Sequence, residues 1–415
     1  MGKKVAIIGA GLSGAVTAIA LKRQGFEPTL YDKVDPIETL KESLRNGEYN
    51  GIQFGELGGA IVLMANGLKT LKHLGLLEPV LQLQEYPILE MYFMLIDGSD
   101  RITKNHTKAG EMDAIAVLRS KLHHTLMQAV GNAGIKSYGG KKIKDLTDQR
   151  CADFVVGADG ITPSTSLAVP EAATRSCRNW IRGVVDLEPP DGVVVDYEHR
   201  IGIYGDPLNS RFIFTSRCGK NVGDIRFPMD PTKPFDSGED WRPYTDLPKE
   251  SALLADEVAS WGTNANVVKC IRHAKRIAPV NLYDLPDLPS FHKGRVILVG
   301  DAAHGTVPMA AQGLNQAIED GGVLGDLLGH FQDTDYKRAF ELYDQIRVPR
   351  THMCASNARG TWNRMKADNA IQAKIGRFMM RLVFTIMRIF GKDDEMFYHD
   401  FRDDVSAAVP GIQFK

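Results

Sequence analysis

The chain has 415 residues, with 50 Lys and Arg against 51 Asp and Glu and a formal net charge of −1. The length predicts two lobes rather than one core, and the balanced charge argues against a nucleic-acid partner. Five cysteines without a CxxC pair (Cys151, Cys177, Cys218, Cys270 and Cys354) argue against a disulfide framework and against a metal site, and fit a reducing, cytoplasmic setting.

Val5 to Ile8 reads as an all-apolar strand buried on both faces. Gly9, Gly11 and Gly14 follow as GAGLSG, and a helix runs from about Leu12 to Gln24, stopped by Gly25. Pro28 to Tyr31 is a second strand with Asp32 at its end. Two lysines before an apolar run mimic a secretory signal, but the glycine spacing points to a dinucleotide turn instead. The first glycine makes the turn, the second admits a pyrophosphate, the third lets helix and strand pack, and Asp32 takes ribose hydroxyls. Ser13 and Lys33 are assigned to the same site. These residues alone leave NAD and FAD both open.

Residues 33–58 are a polar excursion that includes Arg45. Gly58 to Val80 predicts a strand, a turn at Ala65-Asn66-Gly67 and a short helix ending at Gly75. Ile88 to Ile96 and Ile102-Thr103 predict a hairpin around Asp97-Gly98. From Leu118 a helix carries Leu122, Leu126 and Val130; Arg119 at its start suits a solvated first turn or a phosphate or flavin edge. Ala152 to Gly160 (ADFVVGADG) is a buried strand ending at Asp159-Gly160. Residues 181–228 change to short alternating runs: Val193 to Tyr197, Ile201 to Tyr204, Arg211 to Thr215 and Asp224 to Phe227. They predict a separate antiparallel sheet. Residues 229–250 form a loop and Glu250 to Trp261 a helix.

Gly294 to Gly322 reads as strand, turn, loop and helix. The strand Arg295 to Val299 ends at Gly300-Asp301, the loop holds Pro308 and Gly313, and apolar spacing from Leu314 is helical. An Asp at a strand end beside a helix start suits a polar, partly anionic ligand. Beyond residue 336 the chain is helical. Gln372 to Phe390 has a broad apolar face and a basic one, so it suits a membrane surface or packing on the protein itself; packing is the reading adopted. No stretch is long and apolar enough to span a membrane.

GAGLSG with Asp32, then VVGADG, then ILVGDAAHGTVP stand in one order over roughly residues 4–330. The trio resembles the FAD-dependent monooxygenases of the aromatic-hydroxylase type, which include salicylate and para-hydroxybenzoate hydroxylases, with a flavour of members that tailor natural products. The resemblance implies an α/β fold: a Rossmann-like FAD-binding domain (1–80, 107–180 and 290–335), an inserted antiparallel β-sheet substrate domain (81–106 and 181–289) and a C-terminal helical region (336–415). It places Gly9, Gly11, Gly14 and Asp32 on the ADP half of FAD and Arg119 on the cofactor. Asp159 and Gly160 lie near FAD and nicotinamide, Gly300 and Asp301 on the ribitol or ribose hydroxyls. Pro308, Ala311, Gly313, Leu314 and Asn315 form the segment over the isoalloxazine ring.

The family's Gly-Gln-Gly is here Ala311-Gln312-Gly313, and its serine-to-arginine segment is Pro163-Ser164-Thr165-Ser166. Only a dozen residues stand between Tyr138 and Cys151, where the family has a β-meander. The implied activity is reduction of FAD by NAD(P)H, formation of a C4a-hydroperoxyflavin with molecular oxygen, and hydroxylation or epoxidation of an aromatic or polycyclic small molecule, in secondary metabolism or aromatic catabolism. An FAD-dependent reductase or dehydrogenase is the alternative on the same fold. Arg45, Tyr204, Arg211 and Phe212 are the expected pocket residues.

Overall fold

The computed structural model describes residues 2–34, 59–84, 86–105, 107–143, 152–161, 174–187, 200–219, 222–229, 246–331, 336–390 and 395–415. Arg45, the run Val193 to Tyr197 and the segment Pro163 to Ser166 lie outside the described residues.

A six-stranded sheet forms one lobe. Lys4–Ile8 lies between Glu27–Tyr31 and Phe154–Gly157, parallel to both. Val296–Leu298 extends the parallel run on one side and Lys136–Tyr138 on the other, and His292–Lys293 closes an edge antiparallel. The central strand has apolar side chains on both faces, so it is buried by helices on each side: Val5 and Ile7 are 1 % and 0 % exposed. Helices Leu12–Arg23 and Gly313–His330 pack closely because small residues meet between them. A Cβ on Gly325 would lie 2.9 Å from Ala20 Cβ.

The second lobe is a seven-stranded sheet in the order Ala274–Asp284, Thr174–Asp186, Val222–Pro228, Arg211–Gly219, Arg200–Asp206, Glu90–Leu95, Ile102–Asn105. It departs from the antiparallel expectation at one seam, where Arg200–Asp206 runs parallel to Glu90–Leu95. Helices Leu247–Ala259 and Ala265–Arg272 contribute to the core on one face, where Ile181, Ile213, Val258 and Ile271 pack together. The other face packs toward the first lobe, through Val184, Ile201, Ile203, Met64 and Ala65.

Three local expectations change. Ala65-Asn66-Gly67 is the first turn of the helix Ala65–His73, not a turn between elements. Its Asn and Gly answer to tertiary packing: Asn66 is 1 % exposed, and a Cβ on Gly67 would lie 2.3 Å from Asn315 Oδ1. Pro87–Ile88 is not in the hairpin; it pairs with Ala114–Leu118 in a three-stranded sheet that Ala60–Leu63 completes. Among the described residues the helix Ala370–Phe390 is touched only along one edge, and none of its residues is buried. Burial of its apolar face, the reading adopted from sequence, is absent among the described residues.

Candidate active site

Four loops meet at one edge of the parallel sheet. Lys4–Ile8 leads into Gly9, Glu27–Tyr31 into Asp32, Phe154–Gly157 into Ala158 and Asp159, and Val296–Leu298 into Val299 and Gly300. These strands are parallel neighbours, so all four loops emerge together. Ligands of open α/β sheets bind at that edge.

Sterics shape the first loop. Gly9 has φ +107°, and a Cβ there would lie 2.2 Å from Ala158 O. A Cβ on Gly14 would lie 2.0 Å from Gly9 O. A Cβ on Gly11 would meet nothing within 4 Å, so the chain is open where it turns into the helix Leu12–Arg23. No side chain caps that helix, and its first N–H groups stay available to an anion. Asp32 accepts from Ala10 N–H at 2.7 Å and Val34 N–H at 2.8 Å. A carboxylate oxygen has a second lone pair, so both oxygens can still accept from hydroxyls. Ser13 Oγ is buried without a hydrogen-bond partner among the described residues. Open space at Gly11, an uncapped helix start and an orphaned hydroxyl together fit an extended, phosphate-bearing dinucleotide. Lys33 is exposed beside this loop.

Arg119 opens the helix Arg119–Asn132 and is half-buried, its backbone N–H donating to Gly59 O at 3.2 Å. One turn on, His123 donates through Nε2 to Ala10 O at 2.7 Å and ties this helix to the glycine loop. His123 was not singled out from sequence; its i+4 spacing from Arg119 was the available signal. Asp159 and Gly160 are half-buried, and Gly160 (φ +87°) has open space beside it.

In the late loop Gly300 has φ +61°, and a Cβ there would lie 2.6 Å from Ser13 Oγ. Asp301 is exposed, and its Oδ1 lies 4.0 Å from where a Cβ on Gly313 would stand. Its carboxylate therefore sits by the start of Gly313–His330, another helix without a side-chain cap. Pro308–Ala310 makes one tight turn, and Ala311 follows with φ +51°. A left-handed residue with a Cβ costs about 1–2 kcal/mol, a cost that glycine at this position would not bear. Leu314 is half-buried. Asn315 is fully buried and engaged with protein: Oδ1 accepts from Met64 N–H at 2.9 Å, and Nδ2 donates to Val62 O and Ala311 O. Its side chain holds the loop against the strand Ala60–Leu63, so any contact with a cofactor falls to its backbone.

A buried charged network, not foreseen from sequence, supports this loop. Asp320 accepts from Gly300 N–H (2.8 Å), His304 Nε2 (2.6 Å) and Arg347 Nε (2.7 Å). Glu319 accepts from Arg347, from Arg350 and from Asn66. Gln312, which precedes the helix, accepts from Asn66 (3.0 Å) and Gln316 (2.9 Å). Burial pushes both carboxyls up, but it is outweighed. Arg347 and Arg350 hold Glu319 down at about 2, and His304 and Arg347 hold Asp320 well below the usual carboxylate range.

The sheet of the second lobe sorts the expected pocket residues by parity, since neighbours on a strand face opposite ways. Tyr204 packs with the helix-covered core, and Arg211 lies over Trp261 of that core, 5.3 Å from the ring centroid. Both are therefore on the wrong face for a pocket shared with the first lobe. Phe212 alternates with Arg211 and is on the facing side with Phe214, Ile203 and Ile201. Trp180 joins them, its ring 5.6 Å from that of Phe214. Ala311 of the late loop packs on the same cluster. Arg182 and Arg226 share this face and are engaged at one end. Each donates to Ala60 O, and Arg226 also pairs with Asp224. Burial first, then the charge of Arg226, pulls Arg182 down to about 9, so it stays charged at neutral pH.

Comparison with known proteins agrees with this geometry. Residues 287–358 match the FAD binding domain family and residues 7–37 the NAD(P)-binding Rossmann-like domain family. Salicylate hydroxylase of Pseudomonas putida is 28 % identical over 386 residues, covering 85 % of this chain and 82 % of that protein. Violacein synthase of Chromobacterium violaceum is 24 % identical, covering 92 % and 89 %. Klebsiella pneumoniae HpxO, solved with FAD and uric acid, shares the fold with a TM-score of 0.70 at 19 % identity, over 93 % of this chain and 95 % of that one. The cofactors these matches support are FAD and NAD(P)H. Among the described residues no cluster of His, Cys, Asp or Glu is arranged to hold a metal ion. These matches support an FAD-dependent monooxygenase of the aromatic-hydroxylase type.

Proposed function

We propose that this enzyme uses NAD(P)H and molecular oxygen to hydroxylate or epoxidise an aromatic or polycyclic, mostly neutral small molecule, in secondary metabolism or aromatic catabolism. One observation carries the reading. Asp32, Asp159, Asp301 and two uncapped helix starts share one sheet edge, and the late loop on that edge packs through Ala311 on the apolar face of the second sheet. Bound FAD, once reduced, supplies the oxygen activation and the transfer of one oxygen atom.

The chain's residues bind and orient. The N–H groups from Leu12 to Gly14 take the pyrophosphate, Asp32 the ribose hydroxyls, and Asp301 the hydroxyls of the sugar chain. Arg119 and Ser13 add donors, while Asp159 and Gly160 line the approach. The N–H groups of Gly313, Leu314 and Asn315 favour negative charge on the reduced ring by about 0.3–1 kcal/mol, or ~2 kcal/mol where buried. The Asp320–Arg347–Glu319 network keeps that helix start and Gly300 in register, so they need no reorganisation during the reaction. Trp180, Phe212, Phe214 and Ile203 give the substrate a dry wall. Arg182 and Arg226 already serve Ala60 and Asp224, which leaves that wall mostly apolar and suits a neutral ring system. The names salicylate hydroxylase and violacein synthase support an aromatic substrate.

The test is a stopped-flow screen of aromatic and polycyclic compounds. Flavin reduction by NADH or NADPH should accelerate, and NAD(P)H consumption rise, when a substrate is present. A flavin that neither nicotinamide bleaches with any compound would refute the reading.

A further inference from the structure

The helix Ala370–Phe390 has an apolar stripe that none of the described residues covers. Its inner edge is anchored to the outer hairpin of the second sheet. Arg377 and Arg381 both pair with Asp100, and the Phe384 ring lies 5.4 Å from Phe93. On the far side Ile371, Ile375, Phe378, Leu382, Ile386 and Ile389 are 41 to 72 % exposed. At 100° per residue these six fall within an arc of about 80°, directed away from the anchored edge. A contiguous exposed stripe of this kind marks an interaction surface.

The charges indicate what covers it. Lys374, Arg381 and Arg388 line one flank of the stripe and are exposed, and no Asp or Glu occurs between Ala370 and Phe390. A second copy of this helix would bring the same cations to the seam with no acidic residue of its own to meet them. An anionic bilayer satisfies both features: the stripe enters the headgroup–acyl boundary and the cations stay among phosphates. Crossing the bilayer is not implied, because no helix of the described residues is long and apolar enough.

We propose that Ala370–Phe390 docks the enzyme in the plane of an anionic phospholipid surface, with the outer edge of its substrate sheet beside the lipid. The inference rests on this helix alone and stands apart from the chemistry of the flavin site.

The test is flotation of the full-length FAD-loaded protein with vesicles of phosphatidylcholine, with and without phosphatidylserine. The protein should float with the anionic vesicles and bind at least tenfold less to the neutral ones. Phe378→Glu with Leu382→Glu should abolish flotation, and Lys374→Glu with Arg388→Glu should weaken it at least tenfold. Flavin content should be unchanged in both, which shows that the variants are folded. Absence of flotation, or flotation indifferent to phosphatidylserine and to the charge reversals, would overturn the proposal. A protein that does not float but forms a dimer broken by Leu382→Glu would overturn it in favour of a second copy.

Discussion

Arg347 Nε donates to Asp320 Oδ1 at 2.7 Å across 27 residues of chain, and both side chains are fully buried. Asp320 in turn holds the Gly300 N–H, so an arginine three helical turns into Tyr336–Arg364 fixes the turn that presents Asp301. Replacing Arg347 with Met leaves Glu319 and Asp320 short of a counter-charge they share. Breaking a buried pair from one side costs about 3–5 kcal/mol. Denaturant unfolding of Arg347→Met should show a loss of that size together with reduced flavin content. An unchanged midpoint would contradict the role given to the network.

The same network sets the response to acid. Glu319 is held at about 2 against an ordinary 4.5, and Asp320 is also depressed. Folded values below unfolded ones stabilise the native state above the unfolded values, and that stability is lost as pH falls through the folded values. Stability should therefore drop between about pH 5 and pH 2. Glu319→Gln should be less stable at neutral pH and show a shallower acid slope, by up to ~1.4 kcal/mol per pH unit. Parallel curves for the two proteins would argue against a depressed Glu319.

Asp301 is exposed, and its carboxylate makes no hydrogen bond to the described residues, so its removal should separate binding from folding. Asp301→Ala should change stability by less than about 1 kcal/mol. It should weaken FAD binding by roughly ten- to a hundredfold, the worth of one or two hydrogen bonds to a charged group. Equilibrium titration of the apoprotein with FAD reads both quantities, and undiminished affinity would remove Asp301 from the site.

The parity of the second sheet makes a paired prediction. Phe214→Ala should raise KM for the substrate about tenfold or more, through lost apolar contact. Arg211→Ala, which removes a contact with Trp261 on the other face, should leave kcat and KM near wild type. Steady-state kinetics of the two variants decide which face lines the pocket.

The glycine turns were legible because Gly9, Gly14 and Gly300 stand where a Cβ would strike a neighbour, and a position that admits only glycine shows in the sequence whatever the neighbour is. Ala311 was legible as a departure, but its left-handed backbone was not, since an alanine hides what a glycine announces. Asn66 and Gly67 read as a turn because their partners, Gln312 and Asn315, lie about 250 residues away. Arg347 carries no local signal for the same reason: its partners Glu319 and Asp320 lie on another helix. Tyr204 and Arg211 were chosen by residue type, whereas the face of a strand is set by pairing register. The helix Ala370–Phe390 read correctly as amphipathic, but periodicity cannot tell a covered stripe from an open one.

The most direct measurement is the origin of oxygen in the product. With a substrate identified by accelerated NAD(P)H oxidation, turnover under ¹⁸O-labelled dioxygen should give a product carrying one labelled atom. A product formed with NAD(P)H consumption but without label would contradict a monooxygenase and establish a reductase or dehydrogenase on this fold.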